Sequence, residues 1–313
     1  MSIQMPSLSG ATEWLNSDPL GPAELRGHVV VFDFWTLTCI NWLRTVPYVR
    51  AWSESYRDDG LIVVGVHTPE FSFEHNNDRV RQAAHERALV YPVAVDNDYA
   101  IWRAFDNHYW PALYFVDAEG AIRDQHFGEG RYEQSERLIQ HLLGVERTLV
   151  SVKGLGVEAE ADWQDLQTPE TYLGYGRGQR FASPGGSQFD DRRFFELPER
   201  LRLNEWALAG KWGVESEKVV LEESGGSIAF RFQARDAHLV MSGCAQRPVP
   251  FQVRVDGEAP GPSAGGDVDQ NGSGLLGEGR LYQLLRAHDE VRERTVEIRF
   301  LEAGIEAYVL TFG

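Results

Sequence analysis

Cysteine is scarce in this chain of 313 residues, which contains only Cys39 and Cys244. Two cysteines so far apart do not make the disulfide framework of a small secreted domain. Positive charge is scarce as well, and the formal net charge is −17 at pH 7. Because a surface that neutralises nucleic-acid phosphates needs an excess of Lys and Arg, we expect no nucleic-acid partner.

Long apolar runs are also missing. No window approaches the ~20 apolar residues that a membrane helix requires, so we expect no membrane segment in this chain. Residues 1–20 lack both the basic and the apolar region of a secretory signal, which predicts a cytoplasmic protein. The length favours two domains.

The most informative stretch present is residues 29–56. Residues 29–35 form a continuous β-branched and aromatic run, typical of a strand buried on both faces. A short polar turn and Cys39 follow, and the apolar spacing then predicts an amphipathic helix. A thiol at the start of a helix ionises more easily, because the helix dipole favours an anion there. The inward-facing residues predicted for this helix are Ile40, Leu43, Val46, Val49, Trp52 and Tyr56.

The rest of the chain divides into two halves of different character. In residues 1–144 strands and helices alternate, and Gly60 is placed to end the Cys39 helix. Residues 145–167 lose this pattern and are predicted to be a linker. Residues 168–313 show short alternating runs between Gly, Pro and Asp clusters, which predicts an antiparallel β-sandwich. The predicted elements are strands 61–67, 91–95, 112–116 and 121–127 with helices 78–89, 99–105 and 132–143 in the first half, and strands 227–234, 238–241, 250–255, 295–300 and 306–312 in the second.

The region around Cys39 resembles the thioredoxin-like superfamily. Asp33 lies six positions before Cys39, where that superfamily has a buried acid, and Pro47 lies eight positions after it, where the superfamily has a helix-kinking proline. Trp110-Pro111 matches its cis-proline loop, which binds extended peptide. One position departs from the pattern: the second cysteine of C-x-x-C is replaced by Trp42.

The likeness extends over nearly the whole chain. WTLTCINWLR, GVHTPEF and FGEG are similar to the soluble redox part of DipZ-type proteins. RPVPFQVRVDG and GIEAYVLTFG resemble the carbohydrate-binding-module-like jelly roll that follows it. The resemblance implies an α/β thioredoxin-like domain plus an all-β jelly-roll sandwich, with glycans as a potential ligand of the latter.

A redox function for Cys39 follows from this resemblance. Cys39 would be the catalytic thiol and Asp33 would assist proton transfer, while Trp35, Trp42, Trp110 and Pro111 would bind a thiol or disulfide protein or peptide. Trp42 cannot resolve a mixed disulfide, so we expect an external thiol to be needed and general disulfide reduction to be slow.

Other interpretations stay open at this point. The chain could be a redox-silent module that binds a peptide on a degenerate thioredoxin scaffold. Cys244 could supply the missing second sulfur, provided that the two Cα atoms lie within ~7 Å. Thr36 gives a T-x-x-C pattern like that of peroxiredoxins, but the preceding proline is absent.

Several polar residues are weaker candidates. His67, Glu70 and Glu129 are predicted on loops after strands, where they either line the groove or are solvated polar residues, which are the commoner case. Arg44 either favours a thiolate or lies on the surface.

No cofactor or metal is predicted. Asp267 to Glu278 fits the spacing of an EF-hand, but Gly274 and the Pro- and Gly-containing approach favour a β-hairpin loop. The aromatic residues of the second half are either core residues or sugar platforms: Trp206, Trp212, Tyr172, Tyr175 and Tyr282.

Overall fold

A computed structural model describes residues 3–186, 189–243 and 247–313. The chain divides into two compact units, one that ends at Ala159 and one that runs from Glu160 to Gly313. In the described residues, no helix combines the length and the apolar character needed to cross a membrane.

The first unit is built of alternating strands and helices. Its strands are β1 Glu13–Leu15, β2 Val29–Trp35, β3 Leu61–His67, β4 Val93–Val95, β5 Ala112–Val116 and β6 Ile122–Phe127. Its helices are α1 Pro22–Leu25, α2 Ile40–Ser55, α3 Asn77–Glu86, α4 Ala100–Ala104 and α5 Tyr132–Leu143.

These strands form one sheet in the order β1-β4-β3-β2-β5-β6. β2 pairs parallel with β3 and antiparallel with β5, so β2 lies in the middle. All seven of its residues are buried, as the continuous apolar run predicts for a strand covered on both faces. The carboxyl ends of β2 and β3 and the first residue of β5 therefore meet at the same edge.

α2 agrees with the predicted helix except at its end. All six residues predicted to face inward are buried. The helix ends at Ser55, however, and a separate 3₁₀ turn covers Arg57–Asp59. Gly60, with φ of 99°, ends this turn rather than the α-helix, so that prediction was wrong.

Residues beyond α5 continue to pack on the first unit. The backbone N–H of Val150 donates to Glu136 on α5 at 2.8 Å. Glu158 pairs with Arg50 of α2 at 2.9 Å and with Arg87 at 3.6 Å. The first unit therefore extends into the region predicted as a linker.

In the second unit, every pairing between strands of the described residues is antiparallel. The strands are β7 Thr171–Tyr172, β8 Asp191–Phe195, β9 Trp206–Val214, β10 Val219–Leu221, β11 Ser227–Phe232, β12 Asp236–Gly243, β13 Val249–Val255, β14 Ser273–Leu276, β15 Arg280–Arg286, β16 Arg294–Phe300 and β17 Ile305–Phe312. The main path of the sheet runs β14-β13-β16-β11-β9-β10-β17-β12-β15.

This large sheet curls so that its two ends share a core. Phe251 on β13 and Tyr282 on β15, near opposite ends of the path, have ring centroids 6.3 Å apart. The ring centroids of Phe230 on β11 and Phe312 on β17 likewise lie 5.9 Å apart. A curled antiparallel sheet with one inner core is consistent with the predicted β-sandwich. The jelly-roll connection pattern stays a prediction.

Candidate functional site

Cys39 is positioned by β2, by a three-residue turn and by the start of α2. It is the N-cap residue of α2, with its carbonyl accepting the backbone N–H of Leu43 at 3.0 Å. Its own N–H donates to the carbonyl of Thr36 at 3.3 Å, which closes the turn. The residue is 7% exposed. The predicted placement at a strand-to-helix junction is therefore correct.

The Cys39 turn is anchored to a buried carboxylate, Glu74. The hydroxyls of Thr36 and Thr38 each donate to Glu74 at 2.6 Å, one to each carboxylate oxygen. Glu74 is fully buried on the short 3₁₀ segment Ser72–His75. Burial raises its pKa to about 6, the charge of Glu70 acts in the same direction, and the threonine hydrogen bonds oppose the rise. Sequence reasoning missed this residue, because in the sequence it looks like part of an ordinary polar loop.

Trp42 occupies the position of the missing second cysteine. Its indole N–H donates to the Oδ2 atom of Asp33 at 3.1 Å. Its ring stacks on Trp35, with centroids 4.3 Å apart and planes 18° apart. Both indoles have no exposed surface, because each packs against the other between α2 and the sheet. The predicted substrate-binding role therefore needs correction for Trp35 and Trp42, which offer no surface to a ligand in this structure.

Asp33 lies fully buried in the middle of β2. Its Oδ2 atom accepts the Trp42 indole and, at 3.4 Å, the hydroxyl of Tyr91. Burial raises its pKa to about 7, and these two hydrogen bonds lower it only in part. The group can therefore hold a proton close to neutral pH, as a proton-transfer role requires.

His67 is not on a loop. It is the last residue of β3, directly opposite Trp35 in the β2–β3 pairing, and it is fully buried. Its ring meets the Trp35 ring edge-on at 4.7 Å. Burial lowers the pKa of His67 to about 3, so the ring is neutral at neutral pH. The loop position predicted for this side chain was wrong: His67 is the last residue of the predicted strand, and its ring is buried and does not face a groove.

The Trp110-Pro111 loop lies at the same sheet edge as the Cys39 turn. The peptide bond between the two residues is cis. The Trp110 indole donates to the carbonyl of Thr68 at 3.1 Å, and the N–H of Thr68 donates to the carbonyl of Trp35 at 3.0 Å. This chain of bonds ties together the ends of β2 and β3 and the start of β5.

Two exposed aromatic residues that sequence reasoning missed lie beside this loop. Tyr109 is 56% exposed and Phe127 is 38% exposed, with ring centroids 5.1 Å apart. Tyr109 directly precedes Trp110. The Trp110 side chain is half-buried, and its ring centroid lies 4.2 Å from that of Trp102. The only signal in the sequence is the adjacency of Tyr109 to the Trp-Pro pair.

Arg44 and Glu129 meet each other. Their side chains form an ion pair at 3.1 Å and are 3% and 9% exposed. Arg44 is thus not a surface residue, and that alternative was wrong, whereas its predicted effect on the Cys39 thiolate stays a prediction. Of the other predicted groove residues, Glu70 is half-buried on the loop after β3, where its N–H donates to Glu74 at 2.6 Å.

The structure gives little support to the two other chemistries considered for Cys39, a peroxidase role with Thr36 and a disulfide with Cys244. The Thr36 hydroxyl is committed to Glu74, which leaves the peroxide-holding role without its hydroxyl hydrogen. Cys244 lies outside the described residues, so its predicted role as a second sulfur stays untested.

The Asp267–Glu278 loop is not arranged as an EF-hand. β14 begins at Ser273, inside the stretch that would have to coil around an ion. Asp267 forms an ion pair with Arg280 at 2.6 Å, and Asp269 accepts the backbone N–H groups of Asn271 and Ser273. Over the described residues, no group of three or more acidic, His or Cys side chains is placed to hold a metal.

The aromatic residues of the second unit are mainly core residues. Trp206, Trp212 and Tyr282 are at most 2% exposed, while Tyr172 and Tyr175 are half-buried. Sugar binding gains no support from them, because a stacking platform must be accessible.

The sheet order and the placement of Cys39 at the start of α2 define a thioredoxin-like protein. Residues 9–125 match the AhpC/TSA family, and residues 168–313 match the thioredoxin like C-terminal domain. The chain therefore consists of a thioredoxin-like AhpC/TSA domain followed by that C-terminal domain, and its first unit is of the thiol-disulfide oxidoreductase-like fold family.

Known relatives extend this likeness. Protein DipZ of Mycobacterium bovis is 33% identical over 98% of this chain, which spans 42% of the length of that relative. Thiol-disulfide oxidoreductase YkuV of Bacillus subtilis is 29% identical over 44% of the chain and 93% of its own length. A solution structure of a thioredoxin-like protein in the oxidized form matches with a TM-score of 0.43 and 29% identity, over 46% of this chain and 98% of the other.

Proposed function

We propose that this chain is a thiol redox protein that works through Cys39 alone and depends on an external thiol. The observation that carries the proposal is the position of Cys39 as N-cap residue of α2, with a buried Trp42 in place of a second cysteine. The dipole of a helix stabilises a thiolate at this point. The name of YkuV, a thiol-disulfide oxidoreductase, supports the same chemistry.

The reaction would proceed in three exchanges. The Cys39 thiolate attacks one sulfur of a substrate disulfide, so that a mixed disulfide forms and the other substrate sulfur leaves as a thiolate. A thiolate from an external thiol such as glutathione then attacks the substrate sulfur of that mixed disulfide, which releases Cys39 and leaves the external thiol joined to the substrate. A second external thiol completes the reduction. Asp33, whose pKa is near 7, would exchange the proton of the thiol from within the sheet.

We expect the reaction to stop at the mixed disulfide when no external thiol is present. When Cys39 attacks an aromatic disulfide such as 5,5′-dithiobis(2-nitrobenzoate), one equivalent of the reagent's thiolate, 2-nitro-5-thiobenzoate, should be released, and mass spectrometry should locate the other half of the reagent on the Cys39 peptide. Cys39→Ser should lose this adduct and Cys244→Ser should keep it. Insulin reduction by a thioredoxin reductase should be slow or absent. Rapid repeated turnover without added thiol, or a Cys39 that forms no adduct, would contradict the proposal.

A second function is favoured by the exposed aromatic residues beside the Trp110-Pro111 loop. Tyr109 and Phe127 offer accessible apolar surface at the sheet edge where the thioredoxin-like superfamily binds extended peptide. In this alternative the chain is a binding module without redox turnover. Partner binding that survives Cys39→Ser but is lost in Tyr109→Ala would favour it over the redox function.

A further inference from the structure

Glu74 is a buried carboxylate with an unusual set of partners. Its Oε1 atom accepts the Thr38 hydroxyl at 2.6 Å. Its Oε2 atom accepts the Thr36 hydroxyl at 2.6 Å and the backbone N–H groups of Glu70 and Phe71 at 2.6 and 3.0 Å. One side chain thus joins the turn before Cys39 to the loop after β3.

A structural role alone does not explain why a carboxylate is used here. The four donors are two hydroxyls and two amides, all neutral, whereas burying a charged group is costly. What the carboxylate provides is two acceptor oxygens with no donor of their own. A glutamine would present an NH₂ group to one of the two threonine hydroxyls and could not accept from both in the same arrangement.

The two threonines are placed to pass this constraint on to Cys39. Thr38 directly precedes Cys39, and the carbonyl of Thr36 accepts the Cys39 N–H at 3.3 Å. Both threonines are buried, with exposed fractions of 0% and 2%, so neither hydroxyl has water as an easy substitute for Glu74. A shift of either residue therefore displaces the N-cap of α2.

We propose that Glu74 is a positioning residue for Cys39: through Thr36 and Thr38 it fixes the turn that holds the sulfur at the amino end of α2. This role rests on the proposed thiol chemistry of Cys39. A direct electrostatic effect of the Glu74 charge would change the reactivity of Cys39 in the opposite direction. A nearby negative charge disfavours a thiolate, so its removal would make Cys39 more reactive. Loss of positioning makes Cys39 less reactive, because the thiolate loses the helix terminus that stabilises it.

Protonation of Glu74 should weaken the same contact. Burial raises its pKa to about 6, and Glu70 on the adjoining loop adds to the rise. Two further titratable groups adjoin this contact in the chain: His75 follows Glu74 on the same short 3₁₀ segment, and Cys39 follows Thr38. Above pH 6 the carboxylate accepts on both oxygens, and below pH 6 one oxygen carries a proton and must donate. The rate constant of the Cys39 thiolate should therefore show an inflection near pH 6 that Glu74→Gln lacks.

The test is the alkylation rate of Cys39 in the full chain, measured with iodoacetamide and quantified on the Cys39 peptide by mass spectrometry. At pH 7 we expect Glu74→Gln to slow the reaction about tenfold, which corresponds to a rise of about one unit in the thiol pKa. The double variant Thr36→Val/Thr38→Val should slow alkylation to a similar degree. The double variant Thr36→Ser/Thr38→Ser, which keeps both hydroxyls, should react at the wild-type rate.

A matched control is available on α5. Glu136 is another buried carboxylate, and it accepts hydrogen bonds from Tyr56, Trp52 and Val150. Glu136→Gln should destabilise the first unit to a similar degree but leave the Cys39 rate unchanged. An unchanged or faster rate in Glu74→Gln, or an equal slowing in Glu136→Gln, would overturn the positioning role.

The outcomes also separate this role from the proposed function. If the wild type exchanges no disulfide and Glu74→Gln still slows alkylation, the redox function fails and the positioning role stands. If the wild type exchanges disulfides and Glu74→Gln alkylates normally, only the positioning role fails. A wild-type Cys39 that iodoacetamide does not modify overturns both.

Discussion

Trp42→Cys should reduce insulin disulfides with repeated turnover, at least about 100-fold faster than the wild type. The reason is that a second thiol on the same helix reacts at a far higher effective concentration than an external thiol. Residue 42 lies on the first turn of α2, three positions after Cys39. The introduced thiolate would attack the Cys39 sulfur of the mixed disulfide, close an intramolecular disulfide across that turn and release the reduced substrate. Insulin precipitation in the presence of a thioredoxin reductase or dithiothreitol measures this gain.

The substitution should also lower the stability of the first unit, so the control variant must be destabilised to the same degree. The Trp42 indole fills buried space against Trp35 and donates to Asp33, so its removal should lower the free energy of unfolding by about 3–5 kcal/mol. Trp42→Ser creates nearly the same cavity without a sulfur. It should be destabilised to the same degree and show no turnover. If Trp42→Cys and Trp42→Ser are equally inactive while both stay folded, a missing second thiol is not what limits this chain.

Asp33→Asn should stabilise the first unit at pH 8 and leave it nearly unchanged at pH 4. The folded pKa of Asp33 is about 7, compared with an ordinary value of 3.8, because the carboxyl is fully buried. The folded state therefore keeps a proton that the unfolded state loses between these values. The stabilising effect of that proton is fully present below pH 4 and is lost as the pH rises to 7, where the folded chain must bury a charge. The difference corresponds to about 4 kcal/mol at most.

Asparagine is a suitable replacement, because its amide oxygen can still accept the Trp42 indole N–H that Asp33 accepts now. Hydrogen exchange of the β2 and β3 amides reports the opening of this unit separately from the second unit. A gain of equal size at pH 4 and pH 8 would show that the charge of Asp33 is not the cause. A lower stability of Asp33→Asn at pH 8 would mean that the sheet stabilises the Asp33 carboxylate, contrary to the prediction.

Much of the first unit follows from local patterns in the sequence. The runs at 29–35 and 61–67 predict β2 and β3 at the bounds observed, because a strand buried on both faces is apolar at every position. Cys39 is predictable as the residue between a buried strand and an amphipathic helix. The end of α2 was not predictable in this way, because the buried Tyr56 continues the apolar spacing although it is the C-cap residue, where the α-helix has already ended.

The polar contacts of the site could not be predicted in this way. Glu74 reaches Thr36 and Thr38 across 38 and 36 positions of sequence, and in isolation it looks like one more loop carboxylate. Arg44 and Glu129 are 85 positions apart and look like surface charges until they are brought together. Periodicity records which face of an element is buried, but it does not record which polar group lies on the facing element.

The second unit shows the same division between local and non-local information. Alternation predicts β11, β12, β13, β16 and β17 to within two residues at each end. It misses β7, β8, β9, β10, β14 and β15, and in β9 the cause is Gly210, which interrupts the pattern. That glycine has φ of 93°, and a Cβ atom there would lie 2.8 Å from the Cα atom of Gly226 on the neighbouring chain segment. The interruption is thus imposed by a close approach of two segments, which no single run of residues reveals.

The stretch that follows α5 has a practical consequence for dissecting this chain. A fragment cut after Gly144 would strip Glu158 from Arg50 and Arg87 and leave Glu136 without the Val150 amide. A fragment cut after Ala159 retains all of these contacts. We expect the longer piece to melt at a clearly higher temperature in a thermal scan and to resist trypsin at Arg50 and Arg87, whose guanidinium groups lose their Glu158 partner in the shorter piece.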